Sequence, residues 1–122
     1  MDKVITINNW WDGPLCGLAT FDGLVCAYDR IFDKEKDDYS DEYRLIAVSR
    51  EDELRLLSEW SEWCDAVSND DTDMYYKKHD RKGIEQLFAE CDPGKIVRKK
   101  ARFSGRKKYG FIPDGYFVEW YD

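Results

Sequence analysis

The chain is poor in the residues that usually announce chemistry. Its 122 residues contain one histidine, His79, and four cysteines, at positions 16, 26, 64 and 91. No two cysteines stand at Cys-x-x-Cys spacing. A structural zinc needs four ligands, usually supplied in short-spaced pairs, so no metal is expected. There is no glycine-rich phosphate loop, no G-x-S-x-G elbow and no H-E-x-x-H, and no cofactor is expected. No run approaches the eighteen or so apolar residues of a membrane span. The N-terminal stretch MDKVITINN lacks the apolar core and small-residue cleavage site of a secretory signal. The expectation is a soluble, cytoplasmic protein whose thiols act as small buried hydrophobes.

What is present is bulk and charge. Hydrophobic residues make up 43% of the chain and aromatics 16%, too many bulky groups for a disordered protein despite 37% charged residues. The length suits a single domain over residues 1–122, large enough to fold without a staple. The net charge of −7 is unevenly spread. Residues 95–122 carry eight Lys/Arg against three Asp/Glu, whereas residues 1–94 carry eleven against twenty-three. An acidic body with a basic C-terminal piece disfavours general attraction to nucleic acid or anionic membranes, but permits one local basic face.

Patterning predicts the elements. Val4–Ile7 is a short β-type run, and Asp12-Gly13-Pro14 is a turn. Leu15–Phe21 and Leu24–Phe32 read as a hairpin about Asp22-Gly23, the strongest such signal in the chain. A two-residue turn sets Phe21 opposite Leu24, Ala19 opposite Cys26 and Gly17 opposite Tyr28. Gly17 leaves room for the Tyr28 ring, and Cys16 falls on the other face from Cys26, which rules out their pairing. Residues 33–42, DKEKDDYSDE, read as an exposed charged loop, and Tyr43–Val48 as a strand. Ser49 to Asp52 fits a capping-box start to a helix running to about Val67. A second helix is predicted from about Asp80 to Cys91, with Ile84, Leu87, Phe88 and Cys91 on one face. Lys95–Phe103 and Tyr116–Tyr121 close the chain as strands. The predicted class is α+β: an antiparallel sheet of five to six strands, with two helices inserted between the N-terminal hairpin region and the C-terminal strands.

The motif W-x-D-G-P-x-x-G-x-A-x-(F/Y), here beginning WWDGPLCGLATF, resembles that of an uncharacterised family of small bacterial proteins. Tyr43-Arg44-Leu45, Glu59-Trp60-Ser61-Glu62-Trp63 and Phe117-Val118-Glu119-Trp120 extend the resemblance over most of the chain. The segment MYYKKHD departs from it. The resemblance implies a fold and no catalytic residues.

Several constellations compete for function. Trp10 and Trp11 are consecutive, so an extended chain points them to opposite sides and one core cannot take both. One of them is the best candidate for a contact residue. Asp37, Asp38, Asp41 and Glu42 could meet a basic partner. Calcium is disfavoured there, because the EF-hand glycine is missing and Arg44 stands where the closing Glu belongs. Asp70, Asp71 and Asp73 lack that glycine as well. Arg98, Lys100, Arg102, Arg106, Lys107 and Lys108, flanked by Phe103, Tyr109 and Phe111, have the make-up of a nucleic-acid stripe; the competing reading pairs that face with the chain's own carboxylates. His79-Asp80 could serve a Cys64 or Cys91 nucleophile, or cap a helix. The expectation is a non-enzymatic, acidic macromolecule-binding protein that recognises another protein, as an inhibitor, immunity or anti-defence adaptor does. The alternatives are a nucleic-acid module using residues 98–108 and a small enzyme around His79.

Overall fold

A computed structural model describes residues 1–68, 82–108 and 112–122. Seven strands form one antiparallel sheet: β1 (Asp2–Lys3), β2 (Asn9–Trp10), β3 (Pro14–Phe21), β4 (Leu24–Asp33), β5 (Asp38–Ala47), β6 (Val97–Lys108) and β7 (Ile112–Tyr121). The spatial order is β1-β7-β6-β5-β4-β3-β2. Between β5 and β6 come helix α1 (Arg50–Ser68), helix α2 (Lys82–Glu90) and a 3-10 turn at Pro93–Lys95.

The predicted α+β class is overturned. Strands hold 54 of the 106 described residues and the two α-helices 28, and the sheet is a curled half-barrel. Both the number of strands and the closure differ from expectation, for identifiable reasons. The N-terminal run does not form one strand. Asp2 and Lys3 pair with Val118 and Phe117 of β7, whereas Asn9 pairs with Cys16 of β3. Between them, the Val4 N–H donates to the Tyr116 carbonyl at 3.0 Å, and the Ile5 N–H to the Leu18 carbonyl at 2.8 Å. One segment thus stitches together the two ends of the curl.

Register shifts produce the bending. They fall at Asn9/Trp10, at Arg30/Phe32 and at Gly105/Lys107. A bulge adds local twist and bends the strand. Gly105, at φ 113°, leaves room for the β7 backbone: a Cβ there would lie 2.1 Å from the Gly115 carbonyl oxygen.

Curling gives the sheet two apolar faces. The inner face gathers Val4, Ile7, Ala19, Tyr28, Tyr43, Leu45, Tyr116 and Val118, with Phe103 and Trp120 packed against them. Burying rings requires partners for their hydroxyls. The Tyr28 hydroxyl donates to the Thr6 carbonyl at 2.8 Å and the Tyr43 hydroxyl to the Pro14 carbonyl at 2.5 Å. The outer face of β3–β5 presents Cys16, Leu18, Ala27 and Ile46 to Leu56 of α1 and to Ile84 and Phe88 of α2. Helix α1 begins as its sequence dictates: the Ser49 hydroxyl accepts the Asp52 N–H at 3.1 Å, and Glu51, Asp52 and Glu53 fill the first turn.

The expected charged loop at 33–42 shrinks to residues 34–37, because Asp38 already belongs to β5. Phe32 and Tyr39 pair across the strands edge to face at 5.2 Å, and the Ser40 hydroxyl donates to the Ile31 carbonyl at 2.8 Å. A ring pair and one hydroxyl bond thus carry the ladder into a stretch that its charge alone would leave solvated. Arg106, Lys107 and Lys108, expected in a loop, lie within β6.

Among the described residues no helix is long and apolar enough to cross a membrane.

Candidate interaction surface

Trp10 and Trp11 are both exposed, to different degrees. Trp10 is 37% exposed, and the Lys107 ammonium sits 3.8 Å from its ring centroid. That ammonium is also 5.1 Å from the Tyr116 ring. Desolvation in this aromatic seat pulls the lysine below its usual range. Trp11 is 63% exposed. Of the two, Trp11 is the more exposed, and Trp10 carries the Lys107 ammonium over its ring.

Arg30 organises the surroundings of Trp11. Its side chain is only half-buried, beside the Tyr43 ring with the guanidinium carbon 5.9 Å from the centroid. The guanidinium donates through Nε to the Ser40 carbonyl at 2.6 Å. Through Nη1 it donates to the carbonyls of Trp11 and Asp12, at 3.3 and 3.2 Å. One side chain therefore ties the Trp11–Asp12 turn to the middle of the acidic hairpin. An arginine's rigid fork suits this bracing of several carbonyls. Sequence reasoning missed Arg30. The usable signal was its position two residues after Tyr28, on the same face of an apolar strand, where a cation needs acceptors near at hand.

The acidic residues belong to the hairpin whose Ser40 carbonyl meets that brace. Asp37 lies at the turn with φ 53°, Asp38 accepts the Tyr39 N–H at 2.7 Å, and Asp41 is exposed. Glu42 is half-buried and is the register partner of Lys100. The structure thus brings Trp11 to the same hairpin as Asp38 and Asp41, which the sequence separates by about thirty residues.

The basic strand divides. Arg102 pairs with Glu119 at 3.0 Å and lies over the Tyr121 ring at 4.2 Å. Lys99 meets Asp122 at 2.5 Å. Arg98 and Lys100 face outward opposite Arg44 and Glu42, and Arg106 and Lys108 are exposed. His79, Asp80, Asp70, Asp71, Asp73, Tyr109 and Phe111 lie outside the described residues. None of Cys16, Cys26, Cys64 and Cys91 is in a disulfide. Burial, with Asp2 nearby, pushes Cys26 up to about 11, and burial with Asp65 does the same for Cys64. Raised thiols are poor nucleophiles. Among the described residues no three His, Cys, Asp or Glu side chains converge to hold a metal ion.

No family model matches the chain, and comparison with curated proteins and with solved structures gives no match. The functional reading therefore rests on the geometry of the molecule itself.

Proposed function

We propose that this chain is a non-enzymatic cytoplasmic module that recognises another protein, in the manner of an inhibitor, immunity or anti-defence adaptor. The observation that carries the reading is the Arg30 brace, which holds the exposed Trp11 beside the acidic hairpin. An exposed aromatic residue tied through Arg30 to a hairpin that carries carboxylates fits a partner with a basic surface. The ring supplies most of the binding energy, while the charges speed encounter and fix orientation. The acidic body would add long-range steering. Four cysteines outside any disulfide agree with a reducing compartment. The resemblance of the WWDGPLCGLATF segment to small bacterial proteins supports that reading.

Nucleic-acid binding through Arg98, Lys100, Arg102, Arg106, Lys107 and Lys108 is the weaker reading. Arg102 is matched by a carboxylate, Lys107 is held by Trp10, and Lys100 faces Glu42.

Affinity capture from nuclease-treated host lysate tests the proposal. The wild-type chain should retain one protein, and Trp11→Ala and a combined Asp37→Lys, Asp38→Lys, Asp41→Lys variant should each lose it. Capture that survives both changes, or that depends on nucleic acid, would overturn the proposal.

A further inference from the structure

Strands β5 and β6 share only a short ladder. It runs from Leu45 opposite Val97 to Glu42 opposite Lys100, yet β6 continues to Lys108. Past Lys100, β6 has β7 on one side and no strand among the described residues on the other.

An antiparallel ladder turns the backbone groups of alternate residues to opposite neighbours. Two counts therefore show what faces the open side. At the outer edge of β3, the Leu18 carbonyl accepts the Ile5 and Thr6 N–H groups. Alternation from there through Ala27 and Ile46 turns Leu45 and Tyr43 toward β6, to bond with Val97 and Lys99. From the far end, the Tyr116 carbonyl accepts the Val4 N–H, so Tyr116 turns away from β6 and its partner Gly105 turns toward the β5 side. Both counts direct the N–H and C=O groups of Ala101, Phe103 and Gly105 to the open side. The register shift at Gly105/Lys107 puts its extra residue in β7, so β6 keeps its alternation. Arg102, Ser104, Arg106 and Lys108 share its outer face.

The chain's own candidate does not fill this edge. A continued register would set Asp41 and Tyr39 of β5 opposite Ala101 and Phe103. Instead the Tyr39 N–H donates to the Asp38 carboxylate at 2.7 Å, and the Ser40 carbonyl accepts Arg30 at 2.6 Å. An open edge is a template for another strand.

Charge selects the strand. A second copy paired antiparallel about Phe103 would set Arg106 opposite Lys100 and Lys108 opposite Arg98, and like charges opposite each other repel. In the chain itself, Arg102 has Glu119 and Lys107 lies over Trp10. Arg106 and Lys108 are exposed and make no ion pair among the described residues. Apart from the paired Glu119, β7 offers only Asp114 as a carboxylate. At the other end the ladder stops at Glu42, with Asp41 next in the chain, so added carboxylates belong beside Arg106 and Lys108 alone.

We infer that β6 takes up an extended segment of a partner protein by antiparallel strand addition, with apolar side chains on the Phe103 face and carboxylates opposite Arg106 and Lys108. Main-chain bonds supply affinity and alternate side chains supply specificity. The edge uses none of Trp11, Asp37, Asp38 or Asp41, so it stands or falls apart from the proposed surface.

The test is a nuclear magnetic resonance titration of the full 15N-labelled chain with a blocked peptide, Glu-Val-Glu-Val-Thr-Val-Thr. Saturable shifts should centre on residues 101–108. N-methylation of the three valines, whose N–H groups meet β6, should abolish binding, whereas N-methylation of the second glutamate and first threonine should spare it. A peptide with lysine for both glutamates should bind at least about tenfold more weakly, the worth of one charge-assisted hydrogen bond. The double variant Arg106→Glu, Lys108→Glu, at exposed positions, should reverse that preference and leave thermal unfolding unchanged. Equal binding of the two N-methylated forms, equal binding of the acidic and basic peptides, or no saturable shift at millimolar peptide would overturn the inference. So would tighter binding of an eight-nucleotide oligothymidylate at the same residues, or a concentration-dependent dimer that occupies them.

Discussion

Gly17→Ala should be among the most damaging single-methyl changes in the chain. A Cβ at Gly17 would lie 2.3 Å from the Thr6 carbonyl oxygen and 2.9 Å from both the Thr6 carbonyl carbon and the Tyr28 hydroxyl. Two of those atoms are backbone, and the third belongs to a fully buried ring. None can swing aside as a flexible side chain would. The N-terminal segment would have to lift, and it carries the bonds that join the two ends of the sheet. Among them are the Tyr28 hydroxyl to Thr6 at 2.8 Å and the Leu18 N–H to the Thr6 hydroxyl at 2.8 Å. Overpacking costs about 1–3 kcal/mol, and a buried hydroxyl left unpaired about 1–3 kcal/mol more. The sum, about 2–6 kcal/mol, is a large share of a domain's typical stability of roughly 5–15 kcal/mol. For a chain of this size it corresponds to a fall in Tm of roughly 8–24 °C. Urea denaturation and thermal melts of Gly17→Ala against wild type measure it. Gly23→Asn is the control: nothing lies within 4 Å of a Cβ there, and its φ of 78° is one that asparagine tolerates. A Gly17→Ala variant within about 0.5 kcal/mol of wild type would refute the closure account.

Other consequences follow from the same contacts. Arg44→Met should cost about 1–2 kcal/mol by urea denaturation, because it strips a partner from the partly buried Asp29 and a cation from the Phe88 ring; an unchanged midpoint would contradict this. Ser49→Ala should cost about 1 kcal/mol through loss of the α1 cap, read in the same assay. Burial raises Tyr28, Tyr43 and Tyr116, and Cys26 to about 11, so the folded chain holds these protons more tightly than the unfolded one. Their stabilisation is fully present below the unfolded values and is lost as pH rises from about 9 through the folded ones. Tyrosinate absorbance should therefore appear together with alkaline unfolding, and tyrosines titrating singly before unfolding would contradict the burial.

Much of the N-terminal half was legible in the residues. Asp22-Gly23 fixed the hairpin register, and the pairs Gly17–Tyr28, Ala19–Cys26 and Phe21–Leu24 all form. Both glycine and aspartate adopt positive φ there, as that turn demands. The apolar spacing of Ile84 and Phe88 marked the face of α2 that covers the sheet. The curl was not legible, because it depends on register shifts and on one short segment pairing with two distant strands. Val4–Ile7 has the composition of an ordinary strand, and nothing local records that its neighbours are Tyr116 on one side and Leu18 on the other. For the candidate surface, the separation of Trp10 from Trp11 followed from alternation alone. The joining of Trp11 to the acidic hairpin did not, since it runs through Arg30 and requires the β4–β5 register.

Hydrogen–deuterium exchange of the chain, free and bound to its captured protein partner, tests the central claim most directly. The account predicts protection concentrated in residues 9–13 and 37–42 together, since Arg30 makes them one surface. Protection confined to residues 97–108 and 117–121, or no change in either of the predicted segments, would contradict it.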